Sequence, residues 1–318
     1  ANANIILSRA EKSETLAEKD KNRIKGEALF FRAFYYRFLA DLFGGVPLVL
    51  DEAESARRDY TRATRQETYQ QAATDLEEAI TLLDDIDDVK DGRVNRVAAQ
   101  HLLSEIYISL GDYKKAIDMA SNVINNPHMA LMTMRFGSRK NDLEGNPYWD
   151  LFQLENQNRS ASGNKETILA LQYEEDNAGS KNGCFFPRYI LPMYFSAMVK
   201  GKNGKNVVAF KAFTSEKGGR GIGVIHPTQH FLKEIWGKDF ANDYRNSNKM
   251  IIRDCRIDNP NAEGFGQWLI KDGWIRTADT LRNFYPLVMK FSRSGYFPET
   301  YEKLMLSSEI KLIYYFSH

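Results

Sequence analysis

Cysteine is nearly absent. The two in 318 residues, Cys184 and Cys255, lack CxxC spacing, so a structural zinc or an iron–sulfur cluster has no ligand set. Sequence alone does not decide whether they pair as a disulfide. No run of about 18 apolar residues exists, which excludes a membrane-spanning helix in the residues shown. Net charge is also lacking: 43 Lys and Arg stand against 42 Asp and Glu. No global field therefore draws the chain toward nucleic acid or anionic lipid. The opening Ala1-Asn2-Ala3-Asn4 carries neither an initiator Met nor a charged-then-apolar targeting segment, so it says nothing about compartment.

What is present is apolar and aromatic. With 43% hydrophobic residues, the chain is long enough for one large domain or two interlocked ones. Its aromatics, 19 Phe, 16 Tyr and 4 Trp, are numerous, and many fall after residue 140 in sequence without helical period. Rings exposed on loops suit the flat faces of sugars.

Helical punctuation dominates the first half. Ile24, Ala28, Phe31, Tyr35, Phe38 and Leu42 recur at steps of three and four from Arg23 to Phe43, and Gly44-Gly45 with Pro47 ends the run. On that spacing Phe31, Tyr35 and Phe38 are expected in the core. Thr64 and Glu67 form a capping-box pattern ahead of the stripe Tyr69, Ala72, Leu76, Ala79 and Leu83. A third helix is predicted from Asn95 through Ala99, Leu102, Leu103, Ile106, Tyr107 and Leu110 to Gly111. Asp112 caps a fourth, with Tyr113, Ala116, Ile117, Ala120, Val123 and Ile124 as its apolar residues, before Asn126-Pro127. So short a turn forces the last two helices antiparallel, and their spacing resembles one tetratricopeptide repeat. The two earlier helices read as a second, degenerate hairpin with a long insertion.

After Met134 short apolar runs alternate with Gly, Asn, Ser and Pro. Glu166–Tyr173 reads as a short strand and Pro227–Trp236 as a short helix. The resulting architecture is mainly α: a tetratricopeptide-like helical hairpin scaffold over 1–134 and a loop-rich region with short strands and helices over 135–318. Long aromatic loops in a compact protein are usually functional.

Several patterns invite sharper readings. His226 and His230 are four apart, but Pro227 follows the first and no third ligand is evident, which favours surface histidines over a metal site. Asp84, Asp85, Asp87, Asp88 and Asp91 lack the alternating ligands and closing Glu of a calcium loop, and read as a solvated helix end. Lys217-Gly-Gly-Arg-Gly-Ile-Gly223 lacks the Lys-Ser/Thr ending of a phosphate loop. No catalytic residues, metal or cofactor are indicated.

The block Gly26-Glu-Ala-Leu-Phe-Phe-Arg-Ala-Phe-Tyr-Tyr36, continuing through Arg37-Phe-Leu-Ala-Asp-Leu-Phe-Gly-Gly-Val-Pro-Leu48, resembles the most recognisable block of the SusD/RagB family. Asp75-Leu-Glu-Glu-Ala79, Leu110-Gly-Asp-Tyr113, Glu166-Thr-Ile-Leu-Ala-Leu-Gln172, Asp243-Tyr-Arg-Asn246 and Met250-Ile-Ile-Arg253 are similar to later segments, in order. The resemblance implies an outer-membrane lipoprotein of Bacteroidota, held by an N-terminal lipidated cysteine. Such a protein captures glycan without chemistry and delivers it to a SusC-like TonB-dependent transporter. The family's N-terminal portion, with that cysteine, has no counterpart before Ala1, and its closing helices have none after His318. A partial chain is expected. The candidate glycan contacts are the loop rings Tyr148, Trp149, Tyr189, Tyr194, Trp268 and Trp274. A tetratricopeptide-type adaptor or a glycoside hydrolase are the alternatives; an adaptor should continue its hairpins past residue 134, and a hydrolase needs a carboxylate pair recognised by distance.

Overall fold

A computed structural model describes residues 1–53, 55–56, 58–172, 189–211, 214–235, 243–275, 282–291 and 315–316. One compact unit takes Ala1–Leu131 and a second begins at Met132.

The first unit is built from α1 (Asn2–Glu11), α2 (Glu18–Phe43), α3 (Arg65–Leu82), α4 (Arg96–Leu110) and α5 (Tyr113–Ile124), each packed on its neighbour in sequence. Local chemistry sets the boundaries. At α3, Glu67 N–H donates to the Thr64 hydroxyl at 3.1 Å while the Glu67 carboxylate accepts Thr64 N–H at 2.7 Å. Asn95 accepts Ala98 N–H at 2.9 Å to open α4. Gly111 closes it at φ +77°, and Asp112 then accepts Lys115 N–H at 3.2 Å to start α5. A Cβ at Gly111 would meet nothing within 4 Å, so its cost is that of the left-handed backbone alone. Gly111→Val should therefore lower stability by about 1–2 kcal/mol in urea unfolding. An unchanged midpoint would overturn the turn assignment.

Helix α1 went unanticipated. Its N-cap, Ala1, has only a methyl group, which accepts no capping hydrogen bond.

The apolar stripe of α3 is buried as expected, with Ala72, Leu76 and Ala79 fully inaccessible, and so are Ala99, Leu103 and Ile106 of α4. Helix α2 is different. Phe31, Tyr35, Phe38 and Leu42 face solvent, with Tyr35 62% and Phe38 54% exposed, which corrects the expectation that these rings are core. The buried residues are Gly26, Leu29, Phe30, Ala33, Tyr36 and Ala40, joined by Ala28 from the expected stripe. Small residues decide the choice. A Cβ at Gly26 would come within 2.9 Å of Leu83 Cγ, so the helix backbone lies directly on the end of α3, an approach the larger rings would prevent. Phe38 instead stacks on Phe34 at 6.1 Å, which stacks on Phe30 at 6.4 Å, and Phe31 and Tyr35 meet Phe30 and Phe34 edge-on at 5.5 Å. In α5 likewise only Ala116 and Val123 are buried, while Tyr113, Ile117 and Ile124 are exposed.

One buried ion pair ties this unit together. Arg32 of α2 donates from Nε and Nη2 to both oxygens of Asp75 on α3, each at 2.7 Å, and Gln71 adds a third bond to that carboxylate at 2.9 Å. Arg32 Nη1 reaches on to the Leu50 carbonyl at 3.0 Å. Asn4 of α1 donates to the carbonyls of Val49 and Asp51 at 2.7 and 3.0 Å, and the Tyr36 hydroxyl both donates to and accepts from the Val49 backbone. The extended segment after α2 is thus bound by side chains from two helices.

In the second unit, α6 (Pro147–Leu151) and α7 (Arg159–Ser162) are short, and two antiparallel ribbons join β1 (Met198–Lys200) to β2 (Asn206–Val208) and β3 (Ile251–Ile252) to β4 (Leu287–Val288). The strand expected over Glu166–Tyr173 is confined to Leu169–Ala170, with Tyr173 outside the described residues. The helix expected over Pro227–Trp236 is a five-residue π-type turn, Phe231–Ile235, and Trp236 lies outside the described residues. Two aperiodic cores hold this unit. One gathers Leu191, Tyr194, Phe210, Ile257, Leu269 and Leu287; the other gathers Phe136, Trp149, Leu151, Phe152, Met250 and Ile251.

Candidate functional site

The six candidate rings fall into three environments. Trp149 and Tyr194 are core residues, 4% and 0% exposed, which removes them from any ligand-facing surface. Trp149 sits on α6, whose start is fixed by Asn146 accepting Trp149 N–H at 2.8 Å with Pro147 in the first turn. Three cations surround its ring: Arg139 at 5.4 Å, and Arg135 and Lys249 at 5.7 Å. The Tyr194 hydroxyl donates to the Gly219 carbonyl at 2.7 Å and accepts Thr214 N–H, and burial pushes its pKa well up. It is the post around which the glycine loop from Lys217 to Gly223 winds, with Gly218 and Gly219 both at positive φ. That gives the loop a structural purpose.

Tyr148 and Tyr189 occupy the second environment, the rims of these cores. Tyr148 is half-buried, edge-on to Phe152 with centroids 5.0 Å apart, and burial raises its hydroxyl pKa. Tyr189 is 39% exposed, and its carbonyl accepts the N–H groups of Val224 and Ile225.

Trp268 and Trp274 share the third, a folded-back segment over residues 254–275 anchored in the core by Cys255, Ile257, Ala262 and Leu269. Arg256 bridges Trp268 across the segment and lays its guanidinium 4.6 Å from the indole centroid while donating to the Gly266 carbonyl. Trp274 lies on Gly264, where a Cβ would clash with the indole at 2.2 Å, and its Nε1 donates to Gln267 at 2.7 Å. Both indoles are half-buried and held in fixed planes. Phe265, 54% exposed between Gly264 and Gly266, stands with them and was not singled out from sequence. The segment's carboxylates serve its own backbone: Asp254 accepts N–H from Cys255, Ile270 and Lys271, and Asp272 accepts from Trp268.

Cys255 is a free thiol whose pKa burial pushes up to about 12; Cys184 lies outside the described residues. His226 and His230 are both exposed. Among the described residues no group of three or more His, Cys, Asp or Glu is arranged to hold a metal ion, and no helix is long and apolar enough to cross a membrane. The acidic run after α3 ties helix ends: Asp85 caps the turn Ile86–Asp88 and accepts from Asn126, and Asp87 pairs with His128 at 2.6 Å.

The architecture is therefore a helical-hairpin scaffold followed by a loop-rich unit that displays rigidly mounted rings. Residues 1–108 match the SusD-like family described as starch-binding and associating with the outer membrane. SusD-like protein P2 of Formosa agariphila is 33% identical over 112 residues, covering 34% of this chain and 22% of that protein. Solved structures share the fold. A SusD superfamily protein of Bacteroides vulgatus aligns with 99% of this chain and 57% of its own at TM-score 0.64 and 19% identity. One from Parabacteroides distasonis gives the same coverage and score at 18% identity. NanU of B. fragilis covers 91% of this chain and 52% of its own, with TM-score 0.61 and 18% identity. The chain spans little more than half the length of these structures and about a fifth of the curated relative. The likeness in sequence to the SusD-like family thus covers the first 108 residues, and the likeness in fold to SusD superfamily structures runs along nearly the whole chain.

Proposed function

We propose that this chain is a non-catalytic glycan-binding protein of the outer-membrane surface, lipid-anchored in its natural form, that passes its ligand to a SusC-like TonB-dependent transporter. The observation that carries glycan binding is the 254–275 segment, where two indoles and Phe265 are presented half-open in fixed planes beside Arg256 and Gln267. Such rings cover the C–H faces of a pyranose while the neighbouring polar groups take its hydroxyls. The family description supports a starch-like ligand and the outer membrane.

Trp268→Ala and Trp274→Ala should each weaken retention in polysaccharide affinity gels by roughly five- to tenfold, the loss of one stacking ring. The melting temperature should move little, because both rings lie at the edge of the core. Reducing ends should not accumulate. Retention that falls only in proportion to the folded fraction would defeat this assignment, and reducing-end release would favour a hydrolase. Recovery with a transporter from mildly solubilised outer membranes tests the delivery step.

A further inference from the structure

A second face of the loop-rich unit pairs aromatic rings with a flat hydrogen-bonding group. Asp243 caps the single 3-10 turn Tyr244–Asn246 by accepting Arg245 N–H at 2.9 Å. The same carboxylate grips the Arg245 side chain in a fork, Nε to Oδ1 at 3.0 Å and Nη2 to Oδ2 at 2.9 Å. Helix α6 packs against this turn, and Asn146 donates to the Ser247 hydroxyl at 3.0 Å. Trp149 of α6 and Met250–Ile251 beyond the turn share one core, so both elements are mounted on the same base. On that base sit Tyr148, its plane set by Phe152, and Tyr244, 52% exposed.

Stability does not account for this arrangement. A solvent-facing ion pair between residues two apart adds little to folding, since surface pairs contribute about 0–1 kcal/mol, and Arg245 is 63% exposed. An exposed tyrosine adds little more. Recognition does account for it. A carboxylate locked edge to edge with a guanidinium offers acceptors and donors in one plane, which suits two adjacent hydroxyls of a sugar, and the tyrosines supply the apolar surface for its ring. The charge balance sets the ligand class. Asp243 already grips Arg245 through both of its oxygens, so the guanidinium has no unpaired charge to offer an anionic ligand.

We infer that Tyr148, Asp243, Tyr244 and Arg245 form a second saccharide subsite, distinct from the Trp268/Trp274 segment, that takes a neutral pyranose through a pair of adjacent hydroxyls. The inference rests on the glycan-binding reading and extends it: a polymer engaging both places is held by avidity, so each can be weak alone.

The test uses the whole chain in native affinity gels containing soluble starch, β-glucan, xylan, galactan or polygalacturonate, with thermal melts as the folding control. In a gel that retains the wild-type protein, Tyr244→Ala and Arg245→Leu should each reduce retention about three- to tenfold at unchanged melting temperature. Tyr244→Ala combined with Trp268→Ala should lose more than either alone. If Tyr244→Ala and Arg245→Leu migrate as wild type where Trp268→Ala does not, the second subsite is wrong and glycan binding stands. Loss with Tyr244→Ala but not with Trp268→Ala keeps this subsite and removes the other. A wild-type protein that no gel retains overturns both. Preferential retention by an acidic polysaccharide, polygalacturonate, refutes the neutral-ligand assignment.

Discussion

Asp75→Ala is expected to remove about 3–5 kcal/mol of stability. The carboxylate is 2% exposed and accepts two bonds from Arg32 and one from Gln71, so its loss leaves a guanidinium only 13% exposed without its counter-charge. Water cannot replace the missing partner there without opening the contact between α2 and α3. The damage should extend beyond that contact, because the same guanidinium holds the Leu50 carbonyl and the segment that Asn4 and Tyr36 also bind. Urea unfolding followed by far-UV circular dichroism measures the loss. The double variant Arg32→Met/Asp75→Leu separates charge from packing: with both ions gone, most of the penalty should disappear, leaving the lost bonds to the Leu50 carbonyl and Asn4 and the lost acceptor of Gln71. A single Asp75→Ala variant within about 1 kcal/mol of wild type would mean that the pair behaves as a surface one.

Asp75 lies within a sequence block read for its family resemblance, yet its partner could not be named from the sequence. Boundaries were legible because capping is local: Thr64 with Glu67, Asn95 with Ala98, and Gly111 with Asp112 act within four residues of themselves. Faces were not always legible. Helix α2 satisfies the helical period on two opposite sides, and hydrophobicity alone favours the side with Phe31, Tyr35 and Phe38. The fold selects the other, where Gly26, Ala33 and Ala40 are small enough for close packing, and that preference depends on the shape of a neighbour distant in sequence. The loop rings divided for a related reason. Aperiodic segments make cores of their own, so nothing in the spacing distinguished buried Trp149 and Tyr194 from half-open Trp268 and Trp274. Phe265 and Tyr244 did carry local signals, one flanked by glycines and the other inside Asp243-Tyr-Arg-Asn246, and both turn out exposed.

Asp150→Ala should be comparably damaging in the second unit, at about 3 kcal/mol or more. This carboxylate is fully buried on α6 and accepts from Arg135 Nε at 2.6 Å, Arg135 Nη2 at 3.1 Å and Phe136 N–H at 3.1 Å. Arg135 is 23% exposed and can recover some hydration, which limits the charge penalty, but the buried Phe136 N–H would lose its acceptor outright, adding about 1–3 kcal/mol. Arg135 also donates to the carbonyls of Asp142 and Arg139, so the pair fixes the whole loop leading into α6. Trp149, the preceding residue, reports the change: its ring is 4% exposed beneath three cations, and loosening α6 should shift its emission to the red before global unfolding. Asp150→Asn, which keeps an acceptor for Phe136 and loses the charge, should fall between the two. Because α6 carries Tyr148, both variants should weaken saccharide retention at temperatures where they remain folded, and Tyr244→Ala should then add little further loss. Wild-type stability and unshifted emission in Asp150→Ala would mean that α6 is held by its apolar contacts with Phe136, Met250 and Ile251, and that the buried ion pair positions nothing.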